Sequence, residues 1–205
     1  MITIIDYKVG NLGSIRNMLK YIGVESMISA SPDDVASAEK LILPGVGHFD
    51  YGMRKLHESG LVPMLNQRVL IDKVPILGIC LGAQLFTEKS DEGVHPGLGW
   101  IKGSTIAFDT SLMDQKLKVP HMGWGEIIHQ NKSLLWNEMY EEPRFYFVHS
   151  YHLQLANPTE CLCSVNYGYE FCAGIEKENI IGVQFHPEKS HKYGMKVLEN
   201  FAKIY

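Results

Sequence analysis

The ten-residue segment 75–84, with the sequence PILGICLGAQ, constrains the fold of this chain more than any other. An apolar, β-favouring run ends in the pattern Gly-x-Cys-x-Gly, formed by Gly78, Cys80 and Gly82, and helix-forming residues follow at once. A strand that turns sharply into a helix presents one reactive side chain at the apex of the turn. The apical residue crowds the positions two before and two after it, so glycine is expected at both. We therefore predict a strand, then Cys80 at the tip of the turn, then a helix.

The helix expected after Cys80 would aim its free amide N–H groups and the positive end of its dipole at the sulfur. Such surroundings favour the thiolate, which is the reactive form of cysteine. A buried cysteine with no reactive role is the alternative, because free cysteine is among the most buried residue types. The two flanking glycines and the change from strand to helix favour the reactive interpretation.

The length and charge of the chain limit what it can be. Its 205 residues suit one α/β domain over 1–205, and a hydrophobic content of 45% can fill a core. A net charge of −4, without a run of lysines or arginines, argues against nucleic acid and membrane surfaces as partners. We see no signal-peptide pattern, and no apolar run reaches the ~20 residues that a membrane span needs. We expect a cytoplasmic protein.

Cysteine and histidine spacing predicts neither disulfides nor a metal site. Four cysteines in a chain of this length do not resemble a disulfide framework. Cys161 and Cys163 lack the wider spacing and the second ligand pair of a zinc site, and none of the nine histidines shows paired metal spacing. We therefore expect no metal and no cofactor.

The first half of the chain alternates between apolar strand patterns and amphipathic helix patterns. Strands are predicted over residues 2–6, 24–29 and 40–43. Helices are predicted to begin after Asn11 and Ser31, since both residue types favour the N-cap position. This rhythm predicts an α/β fold with a central, mostly parallel sheet and helices on both faces.

A glycine-rich loop, residues 44–48 with the sequence PGVGH, follows the third predicted strand. Glycine lets the backbone approach a ligand closely or change the orientation of a peptide, although a plain tight turn is the alternative. In an open parallel sheet this loop lies at the same carboxyl edge as Cys80, and ligands bind at that edge. Two helices, over 52–59 and 62–72, are predicted between this loop and the strand that leads to Cys80.

The second half of the chain shows shorter strand patterns and more turn signals. It therefore predicts a mixed or antiparallel sheet added to the parallel core, followed by an amphipathic helix over 194–205. The predicted strands cover residues 100–108, 123–129, 144–148, 162–166, 171–175 and 180–185.

A base and its orienting partner occur late in the chain, in the segment GVQFHPEKS over 182–190. His186 follows an apolar strand and should emerge at a sheet edge. Glu188, two residues later across a stiff proline, can turn its carboxylate toward one imidazole nitrogen. That leaves the other nitrogen to take a thiol proton, as nucleophilic catalysis requires. A lone histidine at a strand end is more often structural, but the presence of Cys80 reverses this expectation.

The segments GICLGAQ (78–84) and VQFHPE (183–188) together resemble the class I, or triad, glutamine amidotransferases. The chain order Cys, His, Glu agrees with that family. Within it, the chain is similar over essentially its whole length to the branch that forms the glutaminase subunit of imidazole glycerol phosphate synthase. The segments PHMGW (120–124) and YFVHSY (146–151) narrow the resemblance to this branch.

The resemblance implies the class I fold and a glutaminase mechanism. Cys80 would attack the side-chain amide of L-glutamine, while His186, oriented by Glu188, would take and return a proton. Ammonia would leave, and water would hydrolyse the resulting thioester to glutamate. The oxyanion needs fixed N–H donors, for which the Leu81 amide is one candidate and Val46 or Gly47 is the other.

The resemblance also implies residues that bind glutamine. Gln84, one turn along the helix after Cys80, would contact the substrate. Glu92 would bind the α-amino group, although its polar loop could equally be solvated surface. The backbone around His149, Ser150 and Tyr151 would hold the amino-acid end of glutamine.

A partner protein is the next implication. Ammonia released into water at neutral pH is mostly ammonium, which is not nucleophilic, so a chain without a synthase domain should deliver ammonia through a closed route. In the family the partner is a (β/α)8-barrel cyclase subunit whose ligand activates the glutaminase. Trp124 and the segment from Lys189 onward are expected at that interface.

Two departures from the family pattern leave alternatives open. Gly125 stands where asparagine usually follows HMGW, and Lys8 stands where glycine is common. The segments 49–53 and 190–194 resemble a paralogous branch that supplies ammonia for amidino groups on surface-polysaccharide sugars. A non-catalytic interaction subunit and a free-standing cysteine hydrolase are further alternatives, although the complete set of Cys80, His186 and Glu188 argues against the first of these.

Overall fold

Twelve strands join into one sheet, and the computed structural model describes all of residues 1–205. In chain order the strands are β1 (Ile2–Ile5), β2 (Ser26–Ser29), β3 (Lys40–Gly45), β4 (Ile76–Cys80), β5 (Lys89–Ser90), β6 (Gly103–Ala107), β7 (His121–His129), β8 (Arg144–His149), β9 (Tyr151–Leu155), β10 (Cys161–Tyr167), β11 (Tyr169–Lys177) and β12 (Ile180–Val183). Every residue of β1, β4 and β12 is buried, as expected of central strands covered on both faces.

Six α-helices connect or cover these strands. They are α1 (Leu12–Tyr21), α2 (Pro32–Ala36), α3 (Phe49–Glu58), α4 (Val62–Asn66), α5 (Leu81–Gln84) and α6 (His191–Ile204). A π-helical turn, Gln67–Ile71, continues α4, and short 3-10 turns occur at Thr110–Leu112, Leu134–Trp136, Pro158–Glu160 and Pro187–Lys189. No helix of the chain has both the length and the apolar sequence that crossing a bilayer requires.

The strand order confirms the predicted α/β class and its two halves. The order β2-β1-β3-β4-β12 forms a parallel core, and β11, β10, β7 and β8 continue it as antiparallel neighbours. A side branch of β9, β6 and β5 pairs with β11 through β9. Gly45 at the end of β3 pairs with Cys80 at the end of β4, so the glycine-rich loop lies beside the cysteine turn as expected.

Apolar side chains fill two layers, one on each face of the parallel core. Neighbouring residues of a strand point to opposite faces, so Ile76 of β4 packs in one layer and Leu77 in the other. The first layer receives α1 and α6 through Ile15, Leu19, Val197, Leu198 and Phe201. The second receives α2, α3, α4 and α5 through Val35, Phe49, Leu56, Leu65 and Leu81. The prediction of helices on both faces is therefore confirmed.

Several boundaries differ from the prediction for local reasons. Asn11 and Ser31 occupy the N-cap positions of α1 and α2, but neither side chain bonds a backbone amide; Asn11 Oδ1 instead accepts a bond from Ser14 Oγ at 3.0 Å. Helix α3 begins three residues earlier than predicted, because His48 Nδ1 accepts a bond from the Asp50 amide at 3.2 Å and caps it.

The turn at Cys80 has the predicted form but a different source of crowding. Cys80 has φ 53° and ψ −111°, a conformation rarely adopted by a non-glycine residue. A Cβ at Gly82 would overlap the carbonyl oxygen of Leu43 in β3, and one at Gly78 would lie 2.8 Å from the Ala83 amide nitrogen. The glycines therefore make room for the neighbouring strand and for α5, whose atoms lie nearer to the two positions than those of Cys80 do.

We predict that Gly82→Ala destabilises the protein by about 1–3 kcal/mol or more, because the new methyl group must displace the backbone of β3. Urea unfolding monitored by circular dichroism measures this change. Gly13→Ala is the matched control, since Gly13 lies exposed near the start of α1 with no atom within 4 Å of its would-be Cβ. The control should be neutral or stabilising by up to ~1 kcal/mol, and equal stability of the two variants would contradict the packing argument.

Candidate active site

A cavity of about 360 Å³ opens at the carboxyl edge of the parallel core. It brings together ten residues singled out from the sequence, which are Val46, Gly47, Cys80, Leu81, Gln84, Glu92, His149, Ser150, Tyr151 and His186. His48, Pro120 and Val148 complete the lining. Glu188 does not line the cavity and lies behind His186, whereas Trp124 and Lys189 lie outside it.

The imidazole of His186 is held from behind by a carboxylate. A 3-10 turn at Pro187–Lys189 folds the chain back, so that Glu188 Oε1 lies 2.9 Å from His186 Nδ1. Both side chains are only 1% exposed. Nε2 of His186 has no hydrogen-bond partner in the protein, and His186 lines the cavity together with Cys80. This is the arrangement expected of a base whose free nitrogen serves a nucleophile.

The electrostatic surroundings of His186 favour its protonated form. Burial by itself lowers the pKa of His186, but the neighbouring Cys80 and the hydrogen-bonded Glu188 carboxylate outweigh burial and raise this pKa to about 10. An imidazole with a raised pKa can accept a proton from a thiol and hold it while a bond forms to sulfur. The site therefore suits proton transfer between Cys80 and a leaving group.

Gln184 is a site residue that the sequence reasoning did not single out. Its side chain is fully buried, and Nε2 donates to Cys80 Sγ at 3.7 Å. Its Oε1 accepts a bond from Gln84 Nε2 at 3.0 Å. A polar residue within the apolar run 180–185 was the available signal, because buried polar groups are informative exceptions.

Two backbone segments supply candidate oxyanion donors. Leu81 opens α5, so its amide N–H belongs to the first turn, which lacks intrahelical partners. Val46 and Gly47 line the same cavity, and Gly47 has φ 94° in open space, which permits its peptide to reorient. Tyr7, also missed from the sequence, fixes the start of this loop by donating its hydroxyl hydrogen to the Pro44 carbonyl oxygen at 2.6 Å.

Glu92 sits where the start of α3 meets the loop after β5. Its Oε2 accepts a bond from the Phe49 amide at 2.8 Å, which leaves Oε1 free for the cavity. Asp50 holds the same loop by accepting bonds from the amides of Val94 and His95, both at 3.0 Å. These two amides lower the pKa of the Asp50 carboxyl group. The carboxylate of Glu92 is thus fixed at one end of the cavity.

A second pair of buried side chains lies at the other wall. His149 Nδ1 is 2.8 Å from the Tyr151 carbonyl oxygen, and His149 Nε2 is 3.0 Å from His121 Nδ1. Burial lowers the pKa of His121 to about 4 and that of His149 to about 3. Both rings are therefore neutral at neutral pH, in contrast to His186.

The two residues predicted at a partner interface share one surface patch. Trp124 is 46% exposed and stacks on His191 with ring centroids 5.6 Å apart, while Lys189 Nζ lies 5.7 Å from the ring centroid of Tyr146. Gly125 faces the opposite way, since a Cβ there would lie 3.0 Å from Phe147 and from Val165. Any side chain at position 125 would therefore point inward, away from the patch.

We predict that acid destabilises the protein through the buried histidines. An unfolded histidine has a pKa of about 6.5. Below that pH the unfolded chain binds protons, whereas folded His121 and His149 stay neutral because their pKa values are lower. Stability should therefore be full above pH 6.5 and fall as the pH drops toward 4. Urea unfolding at several pH values gives the free energy of unfolding as a function of pH. We expect this free energy to change less steeply with pH in His121→Phe than in wild type, by about 1.4 kcal/mol per pH unit. Identical slopes would contradict the assignment of His121 as neutral.

Comparisons with known proteins agree with this geometry. The family model described as glutamine amidotransferase class-I matches residues 3–204. The chain is 47% identical over 204 residues to imidazole glycerol phosphate synthase subunit HisH 2 of Pseudomonas aeruginosa, covering 100% of both chains. It is 49% identical over 203 residues to the HisH 2 subunit of Methanococcus maripaludis and 44% identical over 204 residues to the HisH subunit of Bdellovibrio bacteriovorus, covering 99% and 100% of both chains respectively.

Solved structures share the fold at lower identity. PurLQS from Thermotoga maritima matches with a TM-score of 0.73 at 19% identity, covering 98% of this chain and 96% of that chain. The glutaminase domain of Trypanosoma brucei CTPS, solved with bound acivicin, matches with a TM-score of 0.66 at 14% identity. The match covers 98% of this chain and 92% of that chain. The family model, the full-length relatives and the shared fold lead to one conclusion: the chain belongs to the class-I glutamine amidotransferases.

Proposed function

We propose that this chain, as one domain over residues 1–205, is the glutaminase subunit of imidazole glycerol phosphate synthase in histidine biosynthesis. It hydrolyses L-glutamine to glutamate and ammonia without a cofactor. The observation that carries this proposal is one cavity lined by both Cys80 and His186. Cys80 lies at the turn between β4 and α5, and the buried carboxylate of Glu188 bonds His186 from behind. The HisH relatives at 44–49% identity over full length support the same function.

The first half of the reaction forms a thioester. The sulfur of Cys80 attacks the side-chain amide carbon of glutamine, and His186 takes the thiol proton through its free Nε2. His186 then gives this proton to the amide nitrogen, the C–N bond breaks and ammonia leaves. Glu188 keeps the imidazole in one orientation and stabilises its protonated form throughout.

The oxyanion that develops on the amide oxygen needs fixed donors. The Leu81 amide supplies one, because it lies directly after the nucleophile at the open end of α5. The Val46 or Gly47 amide supplies the second from the neighbouring loop. Reorientation of the Gly47 peptide, which its open surroundings permit, would bring this donor into place.

The second half of the reaction regenerates the enzyme. Water takes the place of ammonia, His186 removes its proton, and the resulting hydroxide attacks the thioester carbon. The C–S bond breaks, glutamate leaves, and His186 returns the proton to the sulfur of Cys80. The same base therefore serves both half-reactions, and within each one its raised pKa of about 10 favours holding the transferred proton until the leaving group takes it.

Glutamine is recognised at both ends of the cavity. Glu92, fixed by the Phe49 amide, binds the α-amino group with its free oxygen. The backbone of His149, Ser150 and Tyr151 holds the amino-acid end at the opposite wall. Gln84 links α5 to the segment 149–151, since its Nε2 donates to the Tyr151 carbonyl oxygen at 3.1 Å.

Ammonia passes to a (β/α)8-barrel cyclase subunit in a heterodimer, because free ammonia would be protonated in water. The patch of Trp124, Tyr146, Lys189 and His191 is the docking site we propose. It lies close to the catalytic base, since the His186 amide donates to the Tyr146 carbonyl oxygen at 2.9 Å. A partner bound to this patch would therefore touch Tyr146, whose backbone bonds directly to that of the catalytic base.

We predict that Cys80→Ala lowers glutamate release by about three orders of magnitude or more, because the mechanism has no other nucleophile. Glutamate is measured by a coupled dehydrogenase assay, and circular dichroism checks the fold. Glu188→Gln is the informative companion, since it keeps the shape but loses the negative charge behind His186. Undiminished turnover in Cys80→Ala would overturn the mechanism.

We further predict that the histidine-pathway cyclase subunit binds this chain and stimulates glutamate release, more strongly when the cyclase holds its own substrate. Trp124→Ala should raise the dissociation constant by about 30-fold, the effect of losing an aromatic hot spot. Ile71→Ala is the control, because Ile71 is 69% exposed but leads into the amino end of β4, away from the patch. No binding by a competent cyclase would favour the surface-sugar branch and a different barrel partner.

A further inference from the structure

His121 is a buried side chain that the proposed mechanism does not use. It is the first residue of β7, is 3% exposed, and pairs in register with His149 at the end of β8. His149 is 6% exposed and lines the cavity, whereas His121 does not line it. His121 therefore lies one layer behind the wall that holds glutamine.

Hydrogen bonding determines the tautomer of both rings. A carbonyl oxygen can only accept, so the bond between His149 Nδ1 and the Tyr151 oxygen requires a proton on Nδ1. A neutral His149 then has an unprotonated Nε2, which can only accept. The proton between the rings therefore belongs to His121 Nδ1, which acts as the donor.

The bond from His121 reaches the substrate wall through one intermediate ring. The Tyr151 carbonyl oxygen accepts from His149 Nδ1 at 2.8 Å and from Gln84 Nε2 at 3.1 Å. These two bonds fix the segment 149–151. A His149 ring without its donor partner would be free to rotate, and the first of the two bonds would then be lost.

Flat side chains hold the His121 ring in the donating orientation. It stacks on Tyr167 from β10 with ring centroids 4.0 Å apart, and on Phe147 from β8 with centroids 4.8 Å apart. Phe171 from β11 meets its edge. A ring packed in this way loses little further freedom when it donates a bond, so it is suited to orienting a neighbour.

We propose that His121 is a positioning residue for glutamine: through His149 it fixes the segment 149–151, which binds the amino-acid end of the substrate. This role deepens the proposed function and rests on it. His121 touches neither the triad nor the cavity. Its loss should therefore weaken substrate binding and leave the chemistry of Cys80 nearly unchanged.

Two variants separate the hydrogen bond from the packing. His121→Phe keeps a flat ring between Tyr167 and Phe147 but removes the donor. His121→Asn loses the ring but can place an amide donor near the former Nδ1 position. Glutamate release by each variant, in complex with the barrel cyclase, gives kcat and KM for glutamine. We expect KM to rise about 10-fold in His121→Phe with kcat within about threefold of wild type, and His121→Asn to recover most of the loss.

Several outcomes would overturn the role. An unchanged KM in His121→Phe, a loss confined to kcat, or an equal loss in both variants would each exclude a positioning hydrogen bond. A wild type without glutaminase activity would overturn the proposed function, and this role with it. If wild type is active and His121→Phe has the same KM for glutamine as wild type, only the positioning role is overturned.

A measurement on the unmodified protein covers the case in which a variant fails to fold. Nitrogen-15 NMR of histidine side chains distinguishes the Nδ1–H from the Nε2–H tautomer. We expect Nδ1–H for both His121 and His149, and we expect acivicin, the molecule bound in the solved structure of the Trypanosoma brucei CTPS glutaminase domain, to shift both signals on binding. An Nε2–H tautomer at either ring would overturn the proposed chain of bonds.

Discussion

The close approach of α5 to β3 is the contact on which the rest of the site depends. Gly82 has no side chain, so the first turn of α5 can lie against the Leu43 carbonyl group. This contact holds Cys80 at a positive φ, with the Leu81 amide next to the glycine-rich loop. Because β4 lies between β3 and β12, the nucleophile has the candidate oxyanion loop on one side and its base on the other.

Histidine chemistry in this cavity is decided by neighbours rather than by residue type. His186 and His149 line the same cavity, and burial lowers the pKa of both. Glu188 and Cys80 reverse this effect at His186, whereas His149 meets only a carbonyl oxygen and other neutral or positively charged rings. One imidazole therefore favours its protonated form beside Cys80, and the other serves as a neutral element of the wall.

The antiparallel half of the sheet connects the cavity with the protein surface. Alternation along β7 points His121 inward and Met122 and Trp124 outward, and the same alternation along β8 separates buried Phe147 from half-buried Tyr146. The two strands therefore carry the imidazole pair on one face and the exposed aromatic patch on the other. A docking partner would touch the same strands that position the substrate wall.

Local sequence was sufficient for the strand-to-helix turn at Cys80, for the alternation of strands and helices in the first half and for the pairing of His186 with Glu188, because each depends on residues close together in the chain. It was insufficient for β9, which a single residue, Ser150, separates from β8. The contact of Gln184 with Cys80 and the bond between His121 and His149 join residues 104 and 28 positions apart. Strand order and register determine such contacts, and burial then determines which histidine carries charge, so only the tertiary structure could decide them.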